Sequence, residues 1–169
     1  MTATHTIIDS PIGELTLVAV DGVLSGVYFP GHWTRPDPAT FGERSDRGFA
    51  QVQGQLAEYF AGERTTFALA ISRVGEDFQR TVWSLIERIP YGKTTTYGDL
   101  ARELGDASLA RAVGGAVGHN PLSVIVPCHR VVGRDGRLTG YAGGLERKRF
   151  LLELEGACAV RDVPTPSLF

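Results

Sequence analysis

Cysteine is scarce in this chain of 169 residues, which has only Cys128 and Cys158. No CxxC pair occurs, so no metal site is expected from cysteines. No apolar stretch approaches the roughly 20 residues that a membrane span needs. The opening residues, MTATHTIID, lack the basic start and apolar run of a secretory signal. These absences set the expectation of a cytoplasmic, reduced protein with two free thiols and no membrane partner. Internal repeats and low-complexity tracts are missing as well.

What is present is ordinary for a globular protein, with 43% hydrophobic and 21% charged residues in a length that suits one large domain or two small ones. The net charge of −2 is unpromising for nucleic acid, but its distribution is uneven. Residues 107–150 carry Arg111, Arg130, Arg134, Arg137, Arg147, Lys148 and Arg149 against only Asp135 and Glu146, a local charge of +5. That is either a solvated face or the footprint of a phosphate backbone.

Patterning divides the chain into a small α+β unit over 1–75, a mainly helical unit over 76–158 and a flexible tail over 159–169. Within the first unit, HTIID reads as a strand. ELTLVAV and VLSGVYF, joined by Asp21-Gly22, read as a hairpin with Leu15, Leu17 and Ala19 on one face. Residues 30–48 read as a loop. Phe49, Val52, Leu56, Tyr59 and Phe60 mark a helix ended by Gly62, and TFALAI is expected to return as a strand. In the second unit, Phe78, Val82, Leu85, Ile86 and Ile89 form a helical stripe that stops at Pro90. A short helix capped by Thr96 follows, and another begins at Ser108; the pair resembles a helix-turn-helix. The second of these helices holds Ala110, Ala112, Gly114, Gly115, Ala116 and Gly118 around Arg111. Each interior glycine costs about 1 kcal/mol, which calls either for close helix packing or for close approach to a ligand backbone.

The nine residues VIVPCHRVV concentrate the chemistry. A cysteine flanked by Val124, Ile125 and Val126 is by default a core thiol. As a nucleophile Cys128 would need a base or a positive environment. His129 is adjacent, but neighbours on an extended strand point to opposite faces, so a useful contact requires a bend or a bridging water. Pro127 marks where a regular strand should stop.

Several segments together resemble the O6-alkylguanine-DNA alkyltransferases: FQRTVW at 78–83, IPYGKTTTYGDLA at 89–101, ARAVGGAVGHNP at 110–121, IVPCHRVVG at 125–133 and TGYAGGLERKRFLLELE at 139–155. The resemblance implies a winged helix-turn-helix-like DNA-binding motif. It also implies irreversible, single-use transfer of an alkyl group from O6 of guanine, and by extension O4 of thymine, in double-stranded DNA to Cys128. No cofactor is implied. His129 would take the thiol proton through a water, Glu155 would orient the histidine and Asn120 would hold the turn around the thiol. Tyr97 would donate a proton at N3 of the departing base. Tyr141, Ala142 and Gly143 would line the base pocket, with the Ala142 N–H donating to O6 and the carbonyls of Cys128 and Val131 accepting from the exocyclic amine. Arg111 would fill the stack after base flipping in the minor groove, with Thr96, Ala110, Ala112, Gly114 and Gly115 lying against the DNA.

The chain departs from the family in places. Ala142 replaces a serine found in some members, Leu109 is bulkier than the small residue some relatives have, the zinc-binding cysteines of certain relatives are missing, and Cys158 matches no catalytic role. A monomer is expected, and the sequence leaves open whether neighbouring molecules cooperate along DNA. Two alternatives are a damage sensor that flips alkylguanine without transfer, and a cysteine hydrolase built on Cys128, His129 and Glu155. The sensor-type relatives lack the acceptor cysteine, and no oxyanion-hole motif supports a hydrolase.

Overall fold

Among the described residues, six strands and five helices form two halves that one continuous apolar core joins. The structure, a computed structural model, describes residues 2–32 and 34–157. The expectations for Cys158 and for the tail over 159–169 lie outside the described residues.

Strands β1 (Ala3–Ile8), β2 (Leu15–Val20) and β3 (Val23–Tyr28) form an antiparallel meander. Asp21 and Gly22 both adopt positive φ, 51° and 82°, as the tight β2–β3 turn requires. Leu15, Leu17 and Ala19 are buried together, as their alternation predicts. The opposite face is covered too: Val18 packs with Tyr28 and Phe41, whose rings stack 5.4 Å apart.

The segment expected to be loop, 30–48, is more ordered than predicted. Its residues 38–41 form a 3-10 turn, and β4 (Glu43–Arg44) adds to β1 in parallel, giving the order β3-β2-β1-β4. Two such polar residues carry no strand pattern, so only the neighbouring edge of β1 recruits them. TFALAI, conversely, does not form a strand. Within it only Ile71 pairs, in a single bridge to Leu24, while farther along β3 Val27 is met by Leu122 instead.

Helix α1 (Ala50–Phe60) buries Val52, Leu56 and Tyr59, and it ends just before Gly62, at φ 77°. Helix α2 (Asp77–Ile86) starts with the Gln79 side chain accepting from the Glu76 N–H and buries Val82, Trp83 and Ile86. Thr96 lies in β5 (Thr95–Thr96) and caps α3 (Tyr97–Glu103), its hydroxyl accepting from the Asp99 N–H at 3.0 Å. The next helix does not begin as α-helix at Ser108. A 3-10 turn over Ala107–Leu109, capped by Asp106, leads into α4 (Ala110–Gly118).

The apolar run LSVIVPCHRVVG over 122–133 reads in the sequence as a buried extended segment, but the structure differs. Residues 122–126 turn repeatedly, with Val124 at φ 71°, and Cys128–Arg130 form a 3-10 turn. The extended pairing in this segment is limited to β6 (Val131–Val132), parallel to β5, and a single bridge from Leu122 to Val27. The apolar run misled because burial, rather than strand pairing, explains its composition. Helix α5 (Leu145–Leu154) closes the molecule. The halves meet where the Val27 N–H donates to the Pro121 carbonyl at 2.8 Å and the Thr34 hydroxyl donates to the Gly118 carbonyl at 3.0 Å.

Candidate active site and DNA-binding face

Cys128 opens its 3-10 turn directly after Pro127 and is 4% exposed. Its carbonyl accepts from the Val131 N–H, which closes the turn and leaves one lone pair for a ligand. Asn120 braces the preceding segment from both sides: its amide donates to the Val126 carbonyl at 2.9 Å, and its carbonyl accepts from the Leu122 N–H at 3.0 Å. Burial pushes the Cys128 thiol up, with Asn120, Lys148 and Tyr141 opposing, so the resting group is a thiol rather than a standing thiolate.

His129 is fully buried, and its Nε2 lies 2.7 Å from Oε2 of Glu155. Burial alone would raise the Glu155 carboxyl, but hydrogen bonds from His129, Arg130 and Tyr59 outweigh it and hold the group down to about 2. An ionised carboxylate only accepts, so Nε2 carries the imidazole proton and Nδ1 keeps its lone pair. Nδ1 has no hydrogen-bond partner among the described residues. Burial lowers the His129 pKa against the pull of Glu155, keeping the ring neutral at neutral pH. A buried thiol, a neutral imidazole with one nitrogen available, and an ionised carboxylate behind it form a nucleophile–base–orienter series.

Three contributors to this site escaped the sequence reading. Arg130, counted there in the basic patch, is buried. It donates through Nε to Glu155 Oε1 at 2.7 Å, through a terminal nitrogen to Oε2 at 3.0 Å, and to the Ile89 carbonyl at 2.7 Å. Tyr59, read as part of a core stripe, reaches across from α1 and donates to Oε2 at 2.6 Å. Lys148 is fully buried, donates to the Thr139 carbonyl at 3.3 Å and is pulled down to about 8 by burial, against the attraction of Cys128. The place of Arg130 beside His129 could have flagged it. Nothing local marks Tyr59, whose partner is 96 residues away.

Tyr97 and Tyr141 are each 9% exposed. Tyr97 accepts from the Thr139 hydroxyl at 3.0 Å, and burial raises its own hydroxyl to about 12. The Tyr141 hydroxyl lies close to Cys128 and Ser123 without forming a well-aligned hydrogen bond to either. Val131 and Gly143 are buried and Ala142 is half-buried. Through Tyr141 the segment over 139–144 reaches the thiol.

On the outer face, Arg111 and Ala112 are exposed, and Thr96, Ala110 and Gly115 are half-buried. A Cβ at Gly115 would meet nothing within 4 Å, so this position leaves the face flat. Gly114 departs from its expected place against DNA. It is buried, on the side of α4 that carries Val113, Ala116 and Val117, where α4 packs on α2 and α3. The helix thus uses small residues for both purposes, inner ones for packing and outer ones for a flat surface. The basic patch also shrinks. Arg130 and Lys148 are buried, whereas Arg111, Arg134 and Arg137 are exposed. Among the described residues no cluster of His, Cys, Asp and Glu could hold a metal ion, and no helix is long and apolar enough to cross a membrane.

Comparison with known proteins agrees with this geometry. Residues 4–72 match the family model of the 6-O-methylguanine DNA methyltransferase ribonuclease-like domain, and residues 77–157 match that of its DNA-binding domain. A Mycobacterium tuberculosis methylated-DNA–protein-cysteine methyltransferase is 49% identical over 164 residues, covering 92% of this chain and 94% of the relative. A Methanosarcina acetivorans protein of the same name is 42% identical, covering 91% and 99%. A crystal structure of Mycobacterium tuberculosis OGT in complex with DNA superposes with a TM-score of 0.84 at 46% identity, covering 90% of this chain and 92% of that one. A buried thiol backed by a histidine–carboxylate pair, a short helix with a flat outer face, and similarity along nearly the whole chain lead to one conclusion: the chain belongs to the 6-O-methylguanine DNA methyltransferase family.

Proposed function

We propose that this protein repairs DNA by taking the alkyl group from O6 of guanine onto Cys128, once per molecule. The observation that carries this reading is the locked imidazole: Nε2 is committed to an ionised Glu155, leaving Nδ1 as the one nitrogen able to accept the thiol proton. The thiol gives its proton to His129 through a water, and sulfur attacks the alkyl carbon. The carbon–O6 bond breaks, the base leaves as it takes a proton from Tyr97 at N3, and exchange with water then moves the His129 proton back to the Tyr97 phenolate and the base proton from N3 to N1. The products are a thioether and an unmodified guanine, and no cofactor is required. O4-alkylthymine offers the same kind of oxygen and is a second substrate class.

A thiol that is 4% exposed cannot meet a base still stacked in duplex DNA. The base is flipped into a pocket bounded by Tyr141, Ala142, Gly143 and Val131, and Arg111 on the exposed face of α4 fills the gap from the minor groove. Thr96, Ala110, Ala112 and Gly115 lie along the backbone, and Arg134 and Arg137 add sequence-independent charge. The two units, 1–75 and 76–158, divide the work: the second holds the chemistry and the DNA face, and the first supports it. The protein works as a cytoplasmic monomer.

The test is intact and peptide mass after mixing with a duplex that carries O6-methylguanine. One methyl on Cys128, with no turnover beyond one equivalent, is expected. Full DNA binding with Cys128 unmodified would establish a sensor instead, and repeated ester or amide turnover would establish a hydrolase.

A further inference from the structure

Arg147 belongs neither to the chemistry nor to the exposed charge. It projects half-buried from the first turn of α5 and bridges the two halves of the molecule. Its Nε donates to the Ile12 carbonyl at 2.7 Å, and a terminal nitrogen donates to the Gly143 carbonyl at 2.9 Å. The guanidinium also lies over the Phe29 ring, 5.1 Å from its centroid. Ile12 and Phe29 flank the N-terminal sheet, whereas Gly143 belongs to the segment that reaches the thiol. Phe29 in turn packs against Tyr141, with centroids 5.8 Å apart. The fit at Gly143 is so close that a Cβ there would stand 2.4 Å from the Phe29 ring. Alongside runs an open groove of about 560 Å³, bordered by Pro11, Ile12, Gly143, Gly144, Arg147 and Phe150.

We propose that Arg147 is a latch: by tying the 139–144 segment to Ile12 and Phe29, it sets how large an alkyl group reaches Cys128. It is a positioning residue for specificity, and the inference rests on the alkyl-transfer reading above. With Cys128 4% exposed, the segment must yield before any base enters, and a bulkier alkyl group needs it to yield further. The latch resists that displacement, and afterwards it holds the wall that keeps a small group aligned for attack. A fork of donors can grip two carbonyls at once from over a ring, which is why this position suits arginine.

The test uses Arg147→Met, which keeps an apolar stem over Phe29 and removes both hydrogen bonds, beside the unaltered protein. Single-turnover rates are measured on two duplexes of one sequence, carrying O6-methylguanine or O6-benzylguanine, so that changes in DNA binding cancel in the ratio. The expected result is a rise of about tenfold in the benzyl-to-methyl rate ratio, the size corresponding to loss of a charged hydrogen bond. Phe29→Leu, which loosens the same contact without touching the arginine, should shift the ratio the same way, and it serves if Arg147→Met does not fold. An unchanged or lowered ratio, with Cys128 still alkylated by both duplexes, overturns the latch alone. Failure of the O6-methylguanine duplex to alkylate Cys128 of the unaltered protein overturns the transfer reading itself, whereas an O6-benzylguanine duplex inert toward both proteins overturns the latch alone.

Discussion

The N-terminal sheet region and the C-terminal helical region differ in what they contribute. The C-terminal region holds the thiol, the imidazole, the carboxylate and the exposed face of α4. The N-terminal region contributes no group to that series, yet it touches the series from behind at two places. Tyr59 donates to the carboxylate, and Phe29 and Ile12 meet the segment over the thiol. Support of this kind is invisible in a motif, because hydrogen bonds and packing across an interface depend on where two distant segments land.

The comparison breaks most sharply at Arg130. Arg130→Met leaves Glu155 buried without its cationic partner, and such a loss costs about 3–5 kcal/mol. Chemical denaturation should show that drop, and alkyl transfer should fall with it because His129 loses its fixed tautomer. Next in size is Arg111→Ala, which leaves the buried site intact. Repair of O6-methylguanine in a duplex should slow by roughly tenfold, worth about 1.4 kcal/mol, while reaction with free O6-benzylguanine is unchanged. Equal losses on both would remove Arg111 from the stack-filling role. Tyr59→Phe probes the N-terminal contribution. Deleting one of several donors to Glu155 should cost about 1 kcal/mol of stability, a smaller loss than at Arg130, and rescue by a second C-terminal change is not expected.

The smallest effect contrasts two buried histidines, one in each region. His32 is 4% exposed and burial lowers it to about 4, with Arg35 adding to the shift; His129 is lowered by burial as well. On acidification the unfolded chain takes up these protons first, near the ordinary histidine value of about 6.5. Stability should therefore decline as pH falls from there toward 4, and decline further toward 2 as the Glu155 carboxylate is titrated. His32→Phe keeps a ring against Phe29 and Tyr28 and should flatten only the upper part of that decline, as followed by the thermal midpoint at each pH.

Much of the architecture was legible in advance. The Asp21-Gly22 hairpin, the α1 stripe with its glycine stop and the Thr96 cap are local codes, each spelled within a few residues. Cys128, His129, Glu155 and Asn120 were all named from the chain, and the fold gathers them at one buried turn. The misreadings share one cause. TFALAI and VIVPCHRVV have strand-like composition, but composition records burial and cannot say whether an edge is free to pair. Gly114 was misplaced because a stripe of small residues does not announce which side of its helix faces inward.

What the sequence by itself determined was the local grammar and the candidates for the reactive residues. A turn needs positive φ, a helix needs a cap and a thiol needs a base, and those demands are met within short spans. Only the tertiary structure decided which charges remain on the surface. Arg130, Lys148 and Arg147 look like their exposed neighbours in the chain, yet folding turns the first into the anchor of Glu155, buries the second beside Thr139 and sets the third between Ile12 and Gly143. The physical reason is that a charge is read by its surroundings: in water it belongs to a face, and inside a protein it must find partners, which only the fold supplies.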